Sequence, residues 1–277
     1  GAEILFRGAI RSDPNFAGAH ENLALTLLHL RKFDAGWSEY EWRWKNSMNH
    51  LTKRVFDKPL WDGANLAGKT LLLHGEQGFG DTIQFVRYAT FVEKKGGTIR
   101  LACQEELTSL LRDAPGIDET FVLGDITPPF DCHAPLLSLP RLLGTYCEEI
   151  PKFDSYLQIS DEMKLSRLSR SVLKIGICWA GRPRHVHDPH RNRSCPPNLF
   201  KALTELAGIE LFGLPVDTPE KKEDLSFGLT ELSPNISSFY NTAKAISALD
   251  LIVSVDTAVL HLAGALGKPG IAALCYA

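Results

Sequence analysis

The sequence predicts an α/β protein: two parallel-sheet units in tandem behind a short α-helical segment. Three observations carry this. From residue 70 onward, short apolar runs rich in β-branched residues alternate with amphipathic stretches, the order that winds a parallel sheet under covering helices. Two of the strand-to-helix junctions, within residues 74–88 and 249–269, are polar turns carrying glycine or aspartate. Residues 1–45 show helical periodicity alone.

A length of 277 residues accommodates two modest domains plus an appendage. With 44% hydrophobic and 23% charged residues the composition is that of a soluble globular chain, and a net charge of −3 excludes a broad nucleic-acid-binding surface. No apolar run approaches membrane-spanning length and no secretory signal opens the chain. The six cysteines (Cys103, Cys132, Cys147, Cys178, Cys195, Cys275) form no C-x-x-C pair, so reduced thiols in a cytoplasmic protein are expected. The chain starts at Gly1 within a helical pattern and stops at Ala277 just after the apolar run 270–276, which reads as a fragment.

In residues 1–46, Asn22, Leu23, Ala24, Phe33 and Tyr40 sit where the tetratricopeptide repeat of about 34 residues places its packing side chains. Pro14 closes a preceding half repeat containing Ala2, Phe6 and Ala9. Small Ala24 and Gly36 opposite Phe33 and Tyr40 allow two helices to pack closely, and Trp37, Trp42 and Trp44 are expected to fill the joint with the next domain. A generic helical hairpin accounts for the same pattern.

Residues 63–70, GANLAGKT, satisfy the phosphate-loop expression G-x-x-x-x-G-K-[ST]. That mechanism needs a strand before the loop and a helix after it. Here a turn precedes and the strand-like Leu71, Leu72 and Leu73 follow, so an ATPase site is not expected.

The next stretch, LLLHGEQGFGDTIQFVRY, reads as strand, turn and helix. Gly75, Gly78 and Gly80 permit close approach of a ligand, Asp81 can cap the helix, and Ile83, Val86 and Thr90 line it. Strands at 98–103 and 119–123, a helix at 105–112 and the segment 131–143 complete a Rossmann-like unit spanning residues 47–160.

A second Rossmann-like unit spans residues 161–277: a polar helix at 161–171, strand 173–178, helix 197–206, strand 209–214 and helix 238–249. Strand Leu251–Val255 then runs into a helix with Asp256 as its N-cap and Val259, Leu262, Ala263 and Leu266 as its apolar stripe. His261 falls on the face of Thr257, Gly264 and Ala265, away from that stripe. Free N–H groups and a positive dipole end at the carboxyl edge of a parallel strand suit a phosphate, although an ordinary capped helix shows the same pattern. Ligands of tandem open sheets are expected at the carboxyl ends of their strands, in the cleft between the units.

The loop at 179–194, WAGRPRHVHDPHRNRS, holds four arginines, three histidines and one aspartate. His185, His187, His190 and Asp188 raise a metal site, but the surrounding arginines would repel a cation. An anion clamp, with Arg193 and Ser194 just ahead of a helix, fits the charges better; a solvated loop is the plain alternative.

On HGEQGFGDTIQFVRY, the WAG…NRS loop and LDLIVSVDTAVLHLAGALGKP, the chain resembles bacterial tetratricopeptide-repeat proteins ending in a GT-B glycosyltransferase. The relatives are the lipopolysaccharide heptosyltransferases and, distantly, the O-GlcNAc transferases, and with the repeat the resemblance spans nearly the whole chain. It implies a GT-B-like fold, with an acceptor-side unit at 47–160 and a nucleotide-sugar unit at 161–277 that is truncated if the chain ends at Ala277. It implies that Gly80 and Asp81 match the turn supplying the catalytic carboxylate, with Gly78 in the same glycine-rich turn. Arg193 matches the basic position that holds the nucleotide diphosphate, with Ser194 beside it, and Asp256, Thr257 and His261 match the donor-phosphate seat.

The chemistry suits these residue types. Sugar transfer needs a base for the acceptor hydroxyl and stabilisation of the departing nucleotide diphosphate. Asp81 supplies the first; Arg193, Thr257 and the N–H groups of residues 257–259 supply the second without metal or other cofactor. The expected partners are a nucleotide-sugar donor and a protein or saccharide acceptor recruited by the repeat, with no nucleic acid and no membrane span. The rival expectation is a tetratricopeptide scaffold whose transferase-like domain has lost its chemistry.

Overall fold

The computed structural model describes residues 1–47, 54–125, 128–144, 150, 153–160, 172–181, 193–214, 228–232, 236 and 238–274. They form two compact units that are not contiguous in sequence: Gly1–Gln77 with Phe85–Gln104 and Pro115–Lys152, and Gly78–Gln84 with Glu105–Ala114 and Phe153–Ala277.

The first unit opens with helices α1 (Ala2–Ser12), α2 (Ala17–His29) and α3 (Phe33–Tyr40), followed by a 3-10 turn, Glu41–Trp44. α2 packs on both neighbours and buries Ala19, Leu23, Ala24 and Leu27. Gly36 lets α3 approach, because a β-carbon there would lie 2.8 Å from Leu28 Cδ2. His20 is pinned between Glu39 Oε2 at 2.5 Å and the Pro14 carbonyl at 3.0 Å. Trp42 stacks on His20 at 3.7 Å, and so stays within the helical segment instead of filling a joint; Trp37 reaches Phe85 at 5.6 Å.

Strand β1 (Thr70–His74) is the centre of the first sheet. α4 (Phe79–Phe85) follows it, and where the sequence reads one continuous helix, a 3-10 turn at Val86–Tyr88 separates α4 from α5 (Ala89–Glu93). The chain continues through β2 (Thr98–Cys103), α6 (Glu105–Leu111), β3 (Glu119–Val122), β4 (Cys132–Pro135), a 3-10 turn at Leu136–Ser138 and α7 (Leu139–Leu142). All pairings are parallel, in the order β3-β2-β1-β4. Leu71, Leu72 and Leu73 are fully buried, as a strand covered on both faces requires. The GANLAGKT segment is a turn with left-handed Gly63, Ala67 and Gly68, and it runs straight into β1. No helix follows it, so the phosphate-loop match is a coincidence of spelling.

The second unit contains β5 (Leu173–Cys178), a 3-10 helix at Pro197–Glu205, β6 (Ile209–Gly213), β7 (Leu229–Glu231), α8 (Phe239–Ser247), β8 (Leu251–Val255), α9 (Ala258–Ala265) and β9 (Gly270–Ala273). Its sheet is parallel throughout, in the order β7-β6-β5-β8-β9. Ser238 caps α8 by accepting the Asn241 N–H at 3.2 Å. Ile175, Ile177, Trp179, Ala180 and Leu211 form the core on one side. Gly176 admits the other layer, since a β-carbon there would stand 2.7 Å from Leu249 Cδ1.

Both sheets therefore start in the middle, wind one way and then reverse. The reversal falls beside the first strand of each, between β1 and β4 and between β5 and β8. Ligand sites of open α/β sheets form at that switch point, beyond the carboxyl ends of the strands. The ends of β5 and β8 carry the segments around Trp179 and Asp256.

Candidate functional site

Gly78, Gly80, Asp81, Arg193, Ser194, Asp256, Thr257 and His261 all belong to the second unit, while Gly75 falls in the first. The anchor is the end of β8. The chain leaves Val255, passes Asp256, and enters α9 at Thr257, whose extended backbone (φ −141°, ψ 169°) makes it the N-cap. The expected N-cap was Asp256; both residue types suit the position, and the backbone places the cap one residue later. Thr257 makes no side-chain capping bond. Among the described residues no acceptor takes the N–H groups of Thr257, Ala258 or Val259, while the Leu260 N–H turns back to the Thr257 carbonyl at 3.1 Å. N–H groups left open at the positive end of a helix dipole are of the kind that suits an anion.

The Thr257 hydroxyl is committed elsewhere. Ser254 Oγ gives its one proton to the Val255 carbonyl at 2.7 Å, so the 3.0 Å contact between Ser254 and Thr257 must be donated by Thr257. Cys178 Sγ, fully buried at the end of β5, lies 3.7 Å from Thr257 Oγ1. This side chain therefore anchors the turn to the strands beneath it. Burial pushes the Cys178 thiol up, which keeps it neutral and inert there.

Arg193 and Ser194 reach the same turn. Arg193 Nη1 lies 3.9 Å from Asp256 Oδ2, with both groups partly exposed. Ser194 Oγ accepts the Gly181 N–H at 3.3 Å, and a β-carbon at Gly181 would lie 3.3 Å from Thr257 Cγ2. A small residue at 181 thus lets the loop after β5 close on the N-cap of α9.

The glycine-rich turn meets α9 through His261. A β-carbon at Gly80 would lie 2.7 Å from His261 Cδ2 and 3.3 Å from Nε2. Asp81, the next residue, occupies the third position of α4 and accepts the Gly78 N–H on Oδ2 at 3.0 Å. This is the carboxylate half of a capping box, so Asp81 closes the turn from inside the helix instead of standing at its N-cap. On α9, Val259, Leu262 and Ala263 of the expected stripe are buried and Leu266 is partly buried; Ala265, expected on the face away from it, is buried too, while His261 is half-buried.

His185, His187, His190 and Asp188, the polar helix at 161–171, and the arginines of the loop other than Arg193 lie outside the described residues. Among the described residues no group of three or more His, Cys, Asp or Glu side chains could hold a metal ion. Sequence reasoning missed Ser254, Cys178 and Gly181 as supports of the Thr257 turn. Ser254 alone carried a signal, a polar residue in an otherwise apolar strand.

Fold and site together define a class: a doubly wound, parallel α/β protein whose candidate site lies at the switch point of its second sheet. Known proteins narrow this. Residues 201–274 match the family described as glycosyltransferase family 9 (heptosyltransferase). The chain is 24% identical to the protein FlbA of Caulobacter vibrioides over 91% of its own length, and it spans 48% of that relative. A family 9 glycosyl transferase from Veillonella parvula shares the fold with a TM-score of 0.55 at 12% identity, over 76% of this chain and 82% of that one. The ADP-heptose lipopolysaccharide heptosyltransferase II of E. coli does so with a TM-score of 0.50 at 14% identity, over 73% and 84%. The parallel α/β architecture is thus that of GT-B glycosyltransferases, and the match over residues 201–274 supports a glycosyltransferase. No helix among the described residues is long and apolar enough to cross a membrane.

Proposed function

We propose that the chain transfers a sugar from a nucleotide-sugar donor to an acceptor hydroxyl, without a metal ion, in the cytoplasm. The observation that carries this reading is the convergence on one helix end: the open N–H groups of residues 257–259, Arg193 held beside Asp256, and Gly80–His261 contact next to Asp81.

In the proposed reaction the donor diphosphate rests on the N-terminus of α9. The Asp81 carboxylate takes the proton of the acceptor hydroxyl as its oxygen attacks the anomeric carbon. The bond from that carbon to the diphosphate oxygen breaks, and the electron pair leaves with the nucleoside diphosphate. The growing charge is met by backbone N–H groups and Arg193, donors of a kind worth roughly 3–4 kcal/mol each in a water-poor site. Helices α1 to α3 act as a tetratricopeptide module that recruits a protein or saccharide acceptor. Cys103, Cys132, Cys178 and Cys195 are free thiols, which supports a reducing compartment.

The test is calorimetry of ADP, UDP and GDP against the full chain, followed by transfer assays led by ADP-heptose. Saturable binding of one diphosphate, weakened in Arg193→Ala, is the expected result. No binding to any of them would sink the enzyme reading and leave a scaffold.

A further inference from the structure

Among the described residues a densely bonded polar cluster lies in the first unit. Arg43, on the 3-10 turn after α3, has a side chain with no solvent exposure. It forks onto Glu76, itself only 2% exposed: Nε donates to Oε2 at 3.2 Å and Nη2 to Oε1 at 3.0 Å. Arg43 Nη1 donates to the Tyr40 carbonyl and to Glu41 Oε1, and Nη2 also reaches Ser138 Oγ at 2.9 Å. Ser138 passes its proton to Glu41 at 2.8 Å, and the Leu137 N–H donates to Glu76 at 3.2 Å. The guanidinium lies 4.6 Å over the Tyr40 ring and 4.8 Å over that of Trp44. The next residue is held as well: Gln77 Nε2 donates to Tyr40 Oη at 2.7 Å, and the Gln77 carbonyl accepts from Gln104 at 2.7 Å.

Burying a charged pair this deeply is a poor way to gain stability, since desolvation cancels most of the attraction. Its distinctive product is a fixed geometry, here of Glu76 and Gln77. Those two residues are the stretch of chain immediately before Gly78, Gly80 and Asp81.

We propose that Arg43 is a positioning residue: acting through Glu76 and Gln77, the helical segment fixes the turn from which Asp81 is presented. The helical segment then contributes to turnover as well as to acceptor recruitment. This inference rests on the transferase reading for its kinetic consequence and on geometry alone for its structural one, so the two are separable. The variant is Arg43→Lys, which keeps a buried cation but loses the planar fork. Amide exchange of the peptide spanning residues 75–82 is expected to accelerate about tenfold while that of α9 is unchanged, and kcat to fall by roughly ten- to a hundredfold with donor KM within about twofold. Should Arg43→Lys not fold, Tyr40→Phe, which removes the bond to Gln77, is measured the same way with a smaller effect in the same direction. Unchanged exchange at 75–82, or equal acceleration across the chain, overturns the proposal. If the parent chain transfers no sugar yet the turn loosens selectively in Arg43→Lys, the clamp stands and the transferase reading falls.

Discussion

The ring of His261 lies against the backbone of Gly80, so closely that a β-carbon on that glycine would stand 2.7 Å from His261 Cδ2. The two residues come from different strand-to-helix turns, 181 positions apart in the sequence. A methyl group at 80 must therefore turn the imidazole away. Gly80→Ala is expected to fold, because the obstacle is a rotatable side chain, and to lower turnover by roughly ten- to a hundredfold through misplacement of the site. Gly264→Ala on the same α9 is the control: a β-carbon there meets nothing within 4 Å, and the helix should gain up to about 1 kcal/mol. Steady-state kinetics and melting curves on both variants check the pair; equal activities would remove His261 from the site.

Asp81 offers a cleaner separation of structure from chemistry. Its Oδ2 accepts the Gly78 N–H at 3.0 Å, and an asparagine keeps an acceptor there. Asp81→Asn should thus melt like the parent and bind nucleoside diphosphate equally well, while kcat falls by about 10²- to 10⁴-fold, the span of general-base contributions. Asp81→Ala should lose the turn as well and melt earlier, by an amount worth roughly 1 kcal/mol. Full transfer activity in the asparagine variant would exclude Asp81 as the base.

Thr257 and Arg193 should part company in binding experiments. The Thr257 hydroxyl donates to Ser254, so in the proposed reaction the diphosphate is left to the backbone N–H groups and to Arg193. Thr257→Val should cost about 1 kcal/mol of stability through the lost internal bond and change diphosphate affinity little; Thr257→Ser should restore stability. Arg193→Ala should weaken the same ligand by roughly ten- to a hundredfold, the value of a hydrogen bond between charged groups, and flatten the salt dependence of binding. Calorimetry at two salt concentrations distinguishes them, and a large loss in Thr257→Val with normal melting would return the hydroxyl to the ligand.

The sequence was most legible where local patterns coincide with tertiary demands. β8 is Leu251–Val255 as read, because a doubly covered strand leaves a short apolar run between polar ends. The turn after it was legible as the start of a capped helix but not to the residue, since Asp256 and Thr257 are equally good caps until the backbone angles choose. β7, Leu229–Glu231, escaped because one leucine in an exposed strand of three residues gives no period. The break between α4 and α5 escaped because no glycine or proline marks it. Arg43 and Glu76 carry no local signal at all: a pairing between residues 33 apart is written only in the packing that buries both.

The imidazole of His74 makes stability depend on acidity. It closes β1 and is 3% exposed, and Nε2 lies 3.3 Å from His133 Nδ1. Burial, with His133 and Arg54 nearby, holds its pKa down to about 3, against an ordinary value of 6.5. Between those values the unfolded chain binds a proton that the folded chain refuses, so stability is fully present above pH 6.5 and is lost as pH falls toward 3. Each pH unit in that window removes up to about 1.4 kcal/mol. Burial of His133 lowers its pKa too and acts in the same direction. His74→Leu, which replaces a buried imidazole with apolar volume, should melt no lower than the parent near neutrality and lose most of the slope between about pH 5 and 6.5. Melting temperatures measured across that range decide it: an unchanged slope in the variant would place the sensitivity elsewhere in the molecule.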